Sequence, residues 1–170
     1  MDKTQELLAK KQMMQLAGSQ QYAQAKNLAL QLVRQLPQDI ELWYALGQLQ
    51  SELGEPLEAL HSYSRVVSRP SPLVLPALQR AVDICVANNL NKQGLEPGRE
   101  LVRLQANSAE AQFKYGLFLY GLSRNLEARE HFQKAMKLDP KNKKYSNQYG
   151  IVNIHLGECD TALESLEKSY

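Results

Sequence analysis

The sequence predicts an all-α chain of about five stacked helix-turn-helix pairs, the last one incomplete, and three observations carry that prediction. First, Ala109 to Pro140 reads as two amphipathic helices around a tight turn. Tyr115, Gly116 and Leu119 on one helix answer Ala128, Phe132 and Ala135 on the other. Gly116 and Ala128 let the two backbones approach, and Phe132 fills the space beside them. Second, small residues recur twelve apart, at Gly47 and Ala59, Gly116 and Ala128, and Gly150 and Ala162; Val82 and Gly94, and Met13 and Ala25, hold the same places. Third, successive pairs are offset by 34 or 35 residues. A helix pair too small to bury its own apolar face buries it against its neighbours at such a period.

The first pair is predicted as Thr4 to Ala17 and Tyr22 to Leu36, broken by Gly18-Ser19, with Asp2 or Thr4 as the N-cap. The second runs from Ile40 to Leu53 and from Pro56 to Ser68 around Gly54, with Pro56 at a helix start where its missing N–H costs nothing. The third is irregular. SRPSPLVLPAL carries Pro70, Pro72 and Pro76, so its first helix is expected near Pro72 to Ala87. Its second helix is expected late, from Leu95 or Glu96 to Gln105, because Pro97 and Gly98 follow. Gly98 also stands where Tyr63 and Phe132 stand in other pairs, which predicts missing bulk and the least stable point of the array. The fifth pair resumes with Tyr145, Tyr149, Gly150, Gly157, Ala162 and Leu166.

Trp43, Leu46, Gly47, Ala59 and Tyr63, closed near Pro70 and repeated at 34 residues, resemble the tetratricopeptide-repeat family over nearly the whole chain. The resemblance implies a right-handed α-solenoid, a single array over 1–170 with repeats at about 6–39, 40–73, 75–108, 109–142 and 143–170. It also implies that Trp43 is a structural wedge between helices. In that family the first helix of each pair lines a concave groove that receives a peptide or helix. By register the groove residues are Tyr44 and Gln48, Phe113, Leu117 and Tyr120, and Asn147 and Ile151, with Lys10, Met14 and Ala17, Ser51, Gln79, Asp83 and Val86, and Ile154 completing the face. Some members grip a C-terminal carboxylate with lysine, asparagine and arginine. Here Lys10 fits, but Met14 replaces the asparagine, Gln48 is a poor substitute and Asp83 would repel the ligand, so such recognition is not expected.

Bulk properties agree with an interaction module. The net charge is +2 and the charged fraction 22%, both signs interspersed, so no nucleic-acid partner is expected. No apolar run approaches a membrane span, and MDKTQELLAKKQ lacks the apolar core of a signal peptide, so a cytoplasmic location without membrane partners is expected. Cys85 is expected to pack as a small apolar residue and Cys159 to sit in an exposed turn.

No catalytic constellation is legible, and neither cofactor nor metal is expected. His61, His131 and His155 fall at different places in their repeats, none with a second ligand at helical metal spacing. No phosphate loop, dinucleotide fingerprint or Cys-x-x-Cys pair occurs. The expected function is therefore a non-catalytic protein–protein interaction scaffold. Its partner is a protein or peptide, or a downstream domain of the same chain. The fifth repeat lacks the run that would match Ala135 to Pro140, which points to the N-terminal part of a longer protein or a truncated piece. That makes the alternative a regulatory or substrate-presenting arm of an enzyme, such as a bacterial sulfotransferase or glycosyltransferase, with its catalytic domain after residue 170. Self-association through an uncapped C-terminal end, using Tyr149, Ile154 and Leu166, is a third expectation.

Overall fold

The computed structural model describes residues 2–158. Among them are nine helices and no strand: α1 (Lys3–Gly18), α2 (Tyr22–Gln35), α3 (Ile40–Glu52), α4 (Pro56–Val67), α5 (Val74–Ala87), α6 (Asn91–Leu104), α7 (Ala109–Gly121), α8 (Asn125–Leu138) and α9 (Lys143–His155). They belong to two compact units, Met1–Ile84 and Cys85–Tyr170. The expected second helix of the fifth pair, with Ala162 and Leu166, and the expected exposure of Cys159 lie outside the described residues.

The repeat is written in the backbone as well as in the side chains. Positive φ occurs at Gln20, Gly54, Asn89, Ser123 and Gly157, spaced by 34, 35, 34 and 34 residues. Each marks the turn after the first helix of a pair. In each turn the next residue's N–H reaches back five residues to a helical carbonyl, as from Glu55 to Gln50 at 2.9 Å and from Arg124 to Leu119 at 2.9 Å. This left-handed stop satisfies carbonyls that a helix end otherwise leaves open. The one extra residue falls between Gly54 and Asn89, the interval that contains the proline-rich segment before α5.

In the first unit Met13, Ala25, Ala29, Leu32 and Val33 form one core with Leu42, Leu46 and Leu49. Ala59, Tyr63 and Val66 form another with Ala77 and Ala81. Trp43 packs against both clusters, while its Nε1–H donates to the Pro37 carbonyl at 3.0 Å and Arg65 lies 5.4 Å from its ring. It is the wedge the register implied. A Cβ on Gly47 would meet the Tyr63 ring at 2.8 Å, so only glycine admits that ring. The Ser62 hydroxyl donates to Gln50 Oε1 at 2.6 Å, and this satisfied polar pair joins α3 to α4 inside the core.

The second unit repeats the device once and inverts it once. A Cβ on Gly116 would meet Phe132 of α8 at 2.6 Å, matching Gly47 and Tyr63. Leu119, Ala128, Phe132 and Ala135 are buried around it, as the spacing predicts. The third pair departs from expectation: α6 starts at Asn91 rather than near Leu95, and Pro97 lies inside it. The bulk expected to be missing at Gly98 is supplied from α7. The fully buried Phe118 ring fits against Gly94 and Gly98, where added Cβ atoms would meet it at 2.6 and 3.1 Å. Two glycines one turn apart receive a ring from the following helix, so α6 is a full helix despite its proline. Cys85 is buried, and burial pushes its thiol up to about 11, which keeps it an unreactive packing group.

Candidate functional site

The first helices of the pairs carry the expected groove residues, and each unit presents its own share. In the first unit Tyr44 and Gln48, one turn apart on α3, share a face. Tyr44 is half-buried with its ring 5.7 Å from Tyr63 in edge geometry, whereas Gln48 is exposed. Both line an open concavity of about 760 Å³ whose walls include Met14 of α1 and Ser71, Pro72 and Leu73 from the segment before α5. Met14 is 64% exposed there. The Ser71–Leu73 wall was not legible by register, because it belongs to the interval that carries the extra residue; proline there was its only signal.

Lys10, the lysine a carboxylate clamp would use, is already engaged. Its Nζ bonds Glu6 at 2.5 Å and Asp39 at 2.6 Å, and these bonds raise its pKa above the usual lysine value. Asp39 also caps α3 by accepting the Leu42 N–H at 3.0 Å. With two carboxylates on one ammonium and Glu41 beside them in the concavity, this site does not favour an anionic ligand.

In the second unit α7 and α9 meet at both ends of one face. Phe113 lies 4.9 Å from Tyr145 at one end, and Tyr120 stacks on His155 at 5.4 Å at the other, with its hydroxyl 3.1 Å from His155 Nδ1. Leu117 and Tyr120 are half-buried, Asn147 is exposed and Ile151 is 39% exposed. Phe113 corrects the expectation. It is 3% exposed, fixed between Phe132 and Tyr145 with the Lys144 ammonium 4.9 Å above its ring, and is therefore core rather than contact surface. Of the residues expected for self-association, Tyr149 is 8% exposed and buried, Ile154 is 51% exposed, and Leu166 lies outside the described residues.

Nothing among the described residues groups three His, Cys, Asp or Glu side chains in reach of one metal ion. No described helix is long and apolar enough to cross a membrane. His61 faces the Trp43 edge. His131 bonds Gln112 Oε1 through Nδ1 at 2.7 Å, and the Gln112 amide donates to the Ala106 carbonyl at 2.9 Å. This chain of bonds is a structural tie from α8 through α7 to the preceding connection.

The tetratricopeptide-repeat family profile matches residues 15–73 and 99–143, more than half of the chain. The chain belongs to the tetratricopeptide-repeat family. Solved structures agree on the fold. MamA of RS-1, the arsTM double mutant, superposes with a TM-score of 0.79 at 23% identity, covering 96% of this chain and 92% of that one. MamA of AMB-1 gives 0.80 at 18% identity, with 99% and 91% covered. YrrB, described as a tetratricopeptide protein with an unusual peptide-binding site, gives 0.76 at 18% identity, with 92% and 80% covered. No curated protein sequence matches this one significantly. The fold class is thus the all-α tetratricopeptide solenoid that the spacing and the resemblance predicted. The interval between the two matches, 74–98, covers α5 and the first half of α6, where the packing is inverted.

Proposed function

We propose that this tetratricopeptide chain is a non-catalytic scaffold that holds a peptide or helix of a protein partner on the faces of its first-of-pair helices. The observation that carries the reading is the open concavity lined by Met14, Tyr44 and Gln48. Its size suits a run of side chains, and it combines an aromatic wall with amide groups able to bond a peptide backbone. The strip of Leu117, Tyr120 and Ile151 offers a second, more apolar contact face. The similarity of fold to YrrB, a protein with a peptide-binding site, supports the same reading.

Selection of peptides from a displayed library on the intact chain tests it. Enriched peptides should lose binding to Gln48→Glu with Met14→Glu, or to Leu117→Glu with Tyr120→Glu, while far-ultraviolet circular dichroism shows unchanged helicity. Peptides that bind all variants equally would place the contact elsewhere and dismiss these faces.

A further inference from the structure

The two candidate faces differ in charge, and that difference names a partner chemistry for the second. On α9, Lys144, Asn147, Ile151 and Ile154 recur at helical spacing on one face. At the N-terminal end of that face Lys143 and Lys144, with Lys141 in the turn just before α9, are all exposed, and none forms an ion pair with another described residue. The Lys144 ammonium is anchored over the Phe113 ring at 4.9 Å. The start of α9 adds the positive end of its helix dipole, with Asn142 as its cap. Among the described residues, Glu110, which is bonded to Lys114, and Asp139 act electrostatically on the adjoining Tyr145. Toward the other end the face turns apolar, with Leu117 and Tyr120 half-buried and Ile151 and Ile154 39% and 51% exposed.

We infer that the α7/α9 face is built for a protein segment in which acidic residues run into aliphatic ones. This inference rests on the docking reading above and adds the partner's chemistry to it. Carboxylates on the partner would meet three ammonium groups that have no ion pair among the described residues, while its aliphatic side chains would cover Leu117, Ile151 and Ile154. Of the two faces only this one offers such complementarity, because the concavity near Tyr44 is lined by Asp39 and Glu41, and the lysine bound to Asp39 is already neutralised. Electrostatics of this kind sets orientation and on-rate, and the apolar strip sets residence.

Fluorescence anisotropy with the full chain and a labelled synthetic peptide, a glutamate run followed by a leucine- and isoleucine-rich turn, tests the inference. The matching peptide with glutamine for every glutamate should bind about ten-fold more weakly, as should the native peptide to Lys143→Glu with Lys144→Glu. Added salt should weaken the native pair and have much less effect on the glutamine peptide. Ile154→Glu, a substitution at an exposed site, should abolish binding with helicity unchanged. Equal affinity for the glutamate and glutamine peptides would overturn the charge inference and leave the docking reading standing. Acidic-peptide binding that ignores Ile154→Glu and Leu117→Glu would overturn docking on the α7/α9 face, and with it this inference, and leave the concavity near Tyr44 to its own test. Failure to bind the peptide would overturn the inference, and sedimentation with phosphatidylserine vesicles under the same variant pattern would then assign the face to an anionic membrane surface.

Discussion

The pairs α3/α4 and α6/α7 solve one packing problem in opposite directions. In the first, Gly47 on the leading helix admits the Tyr63 ring from the helix that follows it in the same repeat. In the second, Gly94 and Gly98 sit on a trailing helix and admit the Phe118 ring from the next repeat. What persists is not the residue at a register position but the pairing of a bare backbone with an aromatic knob. The direction decides what each helix depends on. The approach of Tyr63 to Gly47 is local to its repeat, whereas α6 takes its bulk from α7.

Removing each ring should separate the two arrangements most sharply. Phe118→Ala should cost about 3–5 kcal/mol, the range for deleting a fully buried phenylalanine. Hydrogen exchange should then show protection lost in α6 and α7 together. Tyr63→Ala should cost a similar amount but deprotect α3 and α4. If Phe118→Ala leaves α6 protected, the inverted packing is not what holds that helix. The complementary change fills the socket: Gly94→Ala places a methyl about 2.6 Å from the Phe118 ring and should cost about 1–3 kcal/mol in urea unfolding.

These two pairs also show where the sequence was readable. Gly47, Ala59 and Tyr63 announce their contact because all three lie within one repeat and match the family register. Phe118 gives no such signal, because it stands outside the usual aromatic position and its partner glycines look like helix breakers in isolation. Pro97 pointed the same way: inside α6 it removes one backbone bond and crowds the carbonyl four residues back, and the buried Gly94–Phe118 contact packs that helix against α7 all the same. At the candidate site, the family's groove register carried onto the period picks out Tyr44, Gln48, Leu117, Tyr120, Asn147 and Ile151, and each is exposed or half-buried. Phe113 shares that register, but Lys144 and Tyr145 close over it from α9. Register gives the direction of a side chain from its own helix and says nothing of what a neighbour lays across it.

Acid should distinguish the units next. In the first, the buried polar tie is Gln50 with Ser62, which has no titrating member. In the second, the tie runs through His131, which faces Gln112 and Tyr115 of α7 and Glu127, Glu130 and Lys134 of its own helix. Burial and then Lys134 hold its pKa below the usual 6.5, so the folded state favours the neutral ring. The unfolded chain takes the proton more readily. His131 therefore costs nothing well above pH 6.5, and stability falls as pH drops through that value toward the lowered folded one. Thermal midpoints of the native chain and His131→Gln should converge on acidification, the native chain losing more. A constant difference between them would remove His131 as the cause.

The smallest expected effect concerns the turns, where the two units share a backbone and differ in residue. Gly54 and Ser123 hold the same left-handed position, at φ of 69° and 60°, and close the same five-residue return bond. Glycine takes this conformation without strain, whereas serine there brings Cβ against its own carbonyl. Ser123→Gly should therefore gain stability, offset in part by the extra freedom it gives the unfolded chain, for a net of about 0.5 kcal/mol. Gly54→Ala should lose about 1 kcal/mol by the same reasoning run backwards. The pair of measurements isolates backbone strain from packing, because nothing lies within 4 Å of a Cβ built on Gly54. If Gly54→Ala proves neutral, the left-handed turn is not a source of strain at that position, and the period written in these five turns marks geometry without stabilising it.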